Sequence, residues 1–266
     1  MNRTRTRSAC GIPRSALLGL SLVVLSLMLG RPSLAGAATR TVNTLSDTHS
    51  NGSGTDGLPA LTLREAIQIS VGGDTIVFAI VGVVTLANGE LAIGRSLTIV
   101  GPPGGVVVNG NNTSRVFNIV SGTVSMSNIV ISSGLAAGTP GTNGTVANRL
   151  PGGPGGPGQG GGILNSATST LSLSNCWITG NSANGGSGGF ASNRASGGDG
   201  GSGYGGGIYN LGTLNLKSCT LSDNSANGGD GGNGDTFGVQ VTAAPLQAEA
   251  FTINTLRGFS QWRTAR

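Results

Sequence analysis

Ten carboxylates, one histidine and three cysteines are the residues here best suited to chemistry, and their spacing limits what that chemistry is. Hydrolysis of a glycosidic bond needs two carboxylates projecting into one groove. The acids are Asp47, Asp56, Glu65, Asp74, Glu90, Asp199, Asp223, Asp230, Asp235 and Glu249, scattered singly with no Asp-Asp pair and no basic cluster beside them. His49 is the one histidine and no Cys-x-x-Cys pair occurs, so a Cys–His nucleophile or a zinc site has nothing to build from. Gly228-Gly-Asp230-Gly-Gly-Asn233-Gly-Asp235 approaches a calcium-binding nonapeptide, with Asp235 standing where an apolar residue belongs. One imperfect copy does not furnish the six or more oxygens that calcium takes. The sequence therefore nominates no catalytic, cofactor-binding or metal-binding residue, and it implies no cofactor.

The elements that would position any site begin after an export signal. Residues 1–38 hold Arg3, Arg5, Arg7, Arg14 and Arg31 with no acid, then the apolar run Ala16–Leu29 and the small residues Ala35-Gly36-Ala37-Ala38. A positive segment, a short apolar segment and an A-x-A cleavage site make a secretory signal peptide, too short in its apolar part for a membrane span. The expected location is secreted or at the cell surface, with membrane contact only through the signal before cleavage. Five of the fifteen basic residues leave with the signal, so ten remain against ten acids. A neutral mature chain carries no electrostatic footprint for nucleic acid.

Glycine accounts for 50 of 266 residues, with 4% aromatic and 9% charged residues, which excludes an ordinary enzyme of packed helices. The glycines as a whole lack collagen's strict three-residue period. An internal repeat is the decisive signal. Gly162-Ile163-Leu164-Asn165 and Thr170-Leu171-Ser172-Leu173-Ser174-Asn175-Cys176-Trp177-Ile178 recur as Gly207-Ile208-Tyr209-Asn210 and Thr213-Leu214-Asn215-Leu216-Lys217-Ser218-Cys219-Thr220-Leu221, at offsets of 45 and then 43. A constant offset of 47 carries the pattern upstream, taking Asn165 to Asn118, Leu171 to Val124 and Ile178 to Ile131. A weaker echo aligns Leu91, Ile93, Leu97 and Ile99 with the same column, and Val77-Phe78 with Val116-Phe117. Four units are thereby expected between residues 75 and 225.

Within a unit apolar residues alternate with Ser, Thr or Asn, slipping phase once at Ser174-Asn175; this is the pattern of two short strands around a turn. Near-identical strands at a fixed offset fit parallel stacking. The expected inward ladders are Val124, Leu171, Leu214; Met126, Leu173, Leu216; Ile129, Cys176, Cys219; and Ile131, Ile178, Leu221. Outward columns run Thr123, Thr170, Thr213 and Ser125, Ser172, Asn215. Asn118, Asn165, Asn210 and Asn181, Asn224 are expected as structural amide columns. Stacked Cys176 and Cys219 would suit a disulfide, which export permits; two thiols packed as small hydrophobes is the preferred reading.

Gly-Gly-Gly-Ile at 160–163 and 205–208, followed by Ile178-Thr-Gly-Asn181 and Leu221-Ser-Asp-Asn224, resembles the Gly-Gly-Ala-Ile and Phe-x-x-Asn motifs of chlamydial polymorphic outer-membrane proteins and related bacterial right-handed β-helix proteins. Ile or Leu replaces Phe. Thr62-Leu63-Arg64-Glu65-Ala66-Ile67 is similar to the CSLREA segment that precedes such helices, with Thr and Leu at its start. The resemblance covers about residues 40–235. It implies an all-β, single-stranded right-handed parallel β-helix, a pectin-lyase-like solenoid, with a short N-terminal capping helix. Thr62 and Glu65 form a capping box, and Leu63, Ala66, Ile67 and Val71 lie near one helical face, so this helix would cover the end of the stack.

The glycine loops 133–161, 181–206 and 225–238 should leave equivalent corners on one side, and Pro151-Gly-Gly-Pro154-Gly-Gly-Pro157-Gly is expected to be a flexible spacer. The expected division is signal peptide 1–38, N-terminal cap 39–74 with a strand and the loop Asn51-Gly52-Ser53-Gly54, β-helix 75–238, and irregular tail 239–266. The tail breaks every pattern, as a truncated, frame-shifted or irregular capping end would. If Phe251, Ile253 and Leu256 leave the last coil uncovered, its open end invites self-association. The functional expectation is an exported structural or adhesion-type module without a catalytic site, meeting surface glycans or other cell-surface proteins. The alternative is a polysaccharide-binding or polysaccharide-degrading β-helix protein.

Overall fold

The computed structural model describes residues 36–47, 60–145, 150–192, 195–234 and, as backbone, 251–253. Residues 1–35 of the expected signal, the 51–54 loop, His49, Asp56, Asp235, Glu249 and the rest of the tail lie outside the described residues. The chain divides into units 1–36 and 37–266, and the second is described here.

Strand β1 (Thr39–Val42) and helix α1 (Leu63–Ile69) come first. The chain then makes repeated passes. The first two are β2 (Thr75–Phe78), β3 (Val83–Thr85), β4 (Leu91–Ile93) and β5 (Leu97–Val100), β6 (Val106–Asn109), β7 (Phe117–Ile119). The third runs through β8 (Gly122–Ser127) and β9 (Ile129–Ser132), makes an excursion between β10 (Leu135–Ala137) and β11 (Gly158–Gln159), and ends at β12 (Ile163–Asn165). The fourth repeats this with β13 (Ser169–Ser174), β14 (Trp177–Thr179), β15 (Ser182–Asn184), β16 (Gly203–Tyr204) and β17 (Ile208–Asn210). The fifth has β18 (Thr213–Lys217), β19 (Thr220–Ser222), β20 (Ser225–Asn227) and β21 (Phe251–Ile253).

Like strands of successive passes pair in parallel, giving an all-β protein of stacked sheets with one short helix among the described residues. Sheet A is β1-β2-β5-β8-β13-β18, sheet B is β3-β6-β9-β14-β19, and sheet C is β4-β7-β12-β17-β21; β10-β15-β20 and β11-β16 form two smaller sheets. The expected ladders are in register: Leu171 pairs with Val124 and Leu214, Leu173 with Met126 and Leu216, Ile178 with Ile131 and Leu221. Leu171, Val124, Ile178 and Ile131 are fully buried, and the last rung, Leu214, Leu216, Cys219 and Leu221, is partly buried against them.

Four expectations are corrected. Among the described residues the passes number five rather than four, because the early ones lack the excursion and are shorter: Thr75 pairs with Thr98 and Leu97 with Val124. Val77 pairs with Val100 in sheet A, so Val77-Phe78 is not the counterpart of Val116-Phe117. In sheet C the offset is 46, since Asn165 pairs with Ile119. A one-residue slip exchanges the faces of a strand, so Asn118 turns outward to donate to Glu90 (2.7 Å) while Asn165 and Asn210 alone form the buried amide pair, at 2.6 Å. Val71 lies beyond the end of α1 and is 45% exposed.

Helix α1 is short and held by its ends. Thr62 Oγ1 accepts from the Glu65 N–H, and the Glu65 carboxylate accepts from the Thr62 N–H, completing the capping box. Leu63, Ala66 and Ile67 are buried in the core. Just beyond, fully buried Asp74 accepts from the Ala38 and Val71 N–H groups and from Arg40 Nε, tying β1 to the start of β2. Those backbone bonds, the first of them from Ala38, and the Arg40 charge hold its carboxyl below the usual range against the opposing effect of burial.

The corners need left-handed backbone. Asn128, Asn175 and Ser218, at φ of 55°, 51° and 54°, turn the chain from sheet A into sheet B in three successive passes. This is the phase slip seen in the sequence. Asn reaches the left-handed region through its short polar side chain. Ser133, Gly180 and Asp223 stand at the next corner, all at positive φ.

The glycine excursions are the largest departure from expectation. They are five segments, a (138–144), b (151–158), c (185–191), d (196–203) and e (228–234), bonded to one another at every third residue. Gly138, Gly141 and Gly144 donate to Asn184, Ser187 and Phe190; Gly153 and Gly156 to Thr142 and Thr139; Gly198 and Gly201 to Gly189 and Gly186; Gly229 and Gly232 to Gly201 and Gly198, all at 2.6–2.9 Å. Three residues per turn without internal bonds is the polyproline-II geometry. The excursions are a hydrogen-bonded slab of such helices rather than a spacer, and the three-residue glycine period holds locally. Glycine is obligatory there: a Cβ on Gly186 would lie 2.0 Å from the Thr139 carbonyl oxygen, and one on Gly201 2.0 Å from that of Gly156.

Two outcomes are expected. Gly186→Ala should cost about 1–3 kcal/mol by overpacking, whereas Asp199→Ala, on the exposed side of the slab, should stay within about 0.5 kcal/mol; urea unfolding measures both. A folded-state pKa below the unfolded value of about 3.9 means that Asp74 stabilises above that pH and loses the contribution as pH falls through its folded pKa. Melting curves should therefore show Asp74→Asn less stable than wild type at pH 7, with the gap closing below about pH 4.

Candidate ligand-facing surface

Strand alternation sends every second residue of sheet A outward. The expected hydroxyl columns are in register: Thr123, Thr170, Thr213 form one, and Thr98, Ser125, Ser172, Asn215 another, continued by Thr75 and Thr39. A third reads Ser127, Ser174, Lys217. Thr98, Ser125, Ser172 and Asn215 of the second column and Ser127, Ser174 and Lys217 of the third line a shallow groove, with Lys217 its one charged group. Asn215 Nδ2 donates to Ser172 Oγ at 3.3 Å, so neighbouring rungs are linked along a column.

Around the corner, sheet B presents a different column. Val83 pairs with Val107, Val107 with Val130, Val130 with Trp177, and Trp177 with Thr220. Trp177 is 58% exposed and Val83 47% exposed, giving an apolar stripe with an indole on it. Trp177 follows Ser174 by three residues across the Asn175 corner, so the indole and the hydroxyl columns flank one edge. Indole offers a flat apolar face and an N–H donor, a pairing suited to sugar rings. Sequence reading passed over Trp177, although its place in the alternation, one residue after inward Cys176, was the signal.

Four of the seven described acids are engaged in holding the fold. Asp47 receives Arg64 Nε at 2.8 Å together with the Ala87 and Asn88 N–H groups. Glu65 and Asp74 serve the helix cap and β1. Glu90 binds Arg115 and Asn118. Asp223 occupies a left-handed corner, while Asp199 and Asp230 lie in the glycine slab. Among the described residues no three of His, Cys, Asp and Glu are grouped to hold a metal ion. The Asn181–Asn224 column is a brace: Asn181 Nδ2 donates to Asn224 Oδ1 at 2.9 Å, and Asn181 Oδ1 accepts from the Gly134 N–H at 2.8 Å.

Cys176 and Cys219 are both free thiols, Cys176 buried and Cys219 partly exposed. Burial pushes the Cys176 thiol up to about 11, against the pull of the backbone groups it bonds. Sheets of parallel strands built from repeated passes, with a polar and aromatic edge, define the class of protein. No family model, curated protein or solved structure matches the chain.

Because thiolate is the reactive form, iodoacetamide at pH 8 is expected to label Cys219 in the native protein and to reach Cys176 only after denaturation. Mass spectrometry of the labelled peptides checks the order.

Proposed function

We propose that this chain is an exported, single-stranded right-handed parallel β-helix of the pectin-lyase-like kind, secreted or displayed at the cell surface as a structural and adhesive module. Its partners on this reading are surface glycans or other cell-surface proteins. The repeated A–B–C passes and their in-register ladders support the solenoid. The basic and apolar layout of residues 1–38 supports export. The resemblance to chlamydial polymorphic outer-membrane proteins and to the CSLREA segment supports the surface setting. The observation that carries adhesion is Trp177 exposed beside stacked Ser and Thr columns, on faces where the described acids do not converge. An extended polymer can lie along such a face, repeating its contacts at the strand spacing of about 4.8 Å.

A glycan array is expected to show binding without turnover. Trp177→Ala should weaken it about tenfold or more and leave stability within about 0.5 kcal/mol, the indole being exposed. Release of unsaturated or reducing sugars would overturn the module in favour of a polysaccharide-degrading enzyme.

A further inference from the structure

Beyond residues 1–38 the chain has two cysteines, Cys176 and Cys219, and the stacking sets one above the other. The Asn175 N–H donates to the Lys217 oxygen on one side of the pair, and the Thr220 N–H to the Cys176 oxygen on the other, both at 3.0 Å. With Ser174 on Lys217 and Trp177 on Thr220, the fourth and fifth passes stay in register through this corner. Parallel neighbours lie about 4.8 Å apart, inside the Cα separation of about 4.4–6.8 Å that a disulfide spans. Both side chains pack on the apolar core, and the Cys219 thiol adjoins that of Cys176 and helps to hold it protonated. The column mate of Cys176 in the third pass is Ile129, so Cys219 is the thiol within its reach.

The two differ in access and in freedom to move. Cys176 is 1% exposed, whereas Cys219 is partly exposed. Neither lies in a strand: residues 175–176 join β13 to β14 and 218–219 join β18 to β19, with Asn175 and Ser218 already left-handed.

We propose that Cys176 and Cys219 form a reversible covalent modification site, which a small-molecule disulfide closes into a Cys176–Cys219 bond that clasps the fifth pass to the fourth. Cys219 reacts first, since the buried Cys176 thiol is the poorer source of thiolate. Its sulfur attacks the external disulfide, that S–S bond breaks, and one small thiolate leaves with the proton Cys219 gave up. Cys176 then attacks the Cys219 sulfur, the mixed disulfide breaks, and the second small thiol leaves with the Cys176 proton. Two protein thiols are oxidised and one external disulfide is reduced to two thiols. Stacked Cβ atoms sit near the ladder spacing of about 4.8 Å, beyond the roughly 3.5–4.5 Å of a relaxed disulfide. Closure therefore draws the two corners together, and a bond under that tension is readily reduced again. The export proposed above brings the chain to such oxidants, while the exchange chemistry is independent of it.

The clasp acts where the stack is held least. Leu214, Leu216 and Leu221 of the fifth pass are partly buried, over the buried Leu171, Leu173 and Ile178 of the fourth. A bond across the 43-residue offset restricts the unfolded chain and keeps this pass on its template.

The test treats the reduced, signal-free chain with glutathione disulfide at pH 8 and reads it by mass spectrometry after denaturation and alkylation. The expected product has lost two hydrogens, takes up no alkyl group, gives peptides joined through Cys176 and Cys219, and returns to the dithiol with dithiothreitol. Its melting temperature should rise by about 5 °C or more, a shift absent from Cys219→Ser under the same treatment. Cys176→Ser should stop at the mixed disulfide on Cys219. Wild type that keeps two alkylatable thiols overturns the inference, as does wild type that halts at the glutathione adduct or links to a second copy. A closed bond with no gain in melting temperature overturns the clasp.

Discussion

Every part of this molecule rests on one constraint, the parallel hydrogen bonding of each pass of the chain to the pass before it. That bonding fixes like above like. Leu171 must sit on Val124 and beneath Leu214, because shifting a strand by one residue would turn its whole apolar face to water. Stacking is thus specified by side chains and propagated by backbone. Between strands the chain is free to vary, which is why passes of 23 to 47 residues coexist in one stack.

How much of this was legible depended on which physical period carried it. Two-residue alternation and near-identical strands made the ladders of sheets A and B readable residue by residue. The early passes were harder, since without the excursion their offsets shrink, and an alignment anchored on the later 47-residue spacing counts too few. Asn118 was misplaced because the turn before sheet C absorbs one residue differently. The slab was missed for another reason. Its three-residue period is written in glycine alone, has no hydrophobic face, and looks like flexibility until neighbouring segments are placed against it. Trp177 was visible as an outward position, but its value became plain only when the valine column beneath it was assembled.

Four of the described acids act as fasteners. Asp47 clamps Arg64 and two backbone amides, Asp74 joins β1 to the stack, and Glu90 ties Arg115 to Asn118. Such acids have few lone pairs left for chemistry. The outward columns of sheets A and B consist instead of hydroxyls, an amide, one lysine, valines and one indole.

The slab has a thermodynamic consequence. Its cohesion comes from amide–carbonyl bonds between glycine backbones, which release little apolar surface to water when broken. Apolar exposure raises the heat capacity of unfolding and peptide exposure lowers it, and ordinary proteins average about 12–15 cal/mol/K per residue. Segments a to e pull this chain below that average, so its stability curve is broader and flatter. Glycine also surrenders the most backbone freedom on folding. The excursions thus resemble a small crystal more than an oil drop: enthalpic, entropically costly, and little weakened by cold.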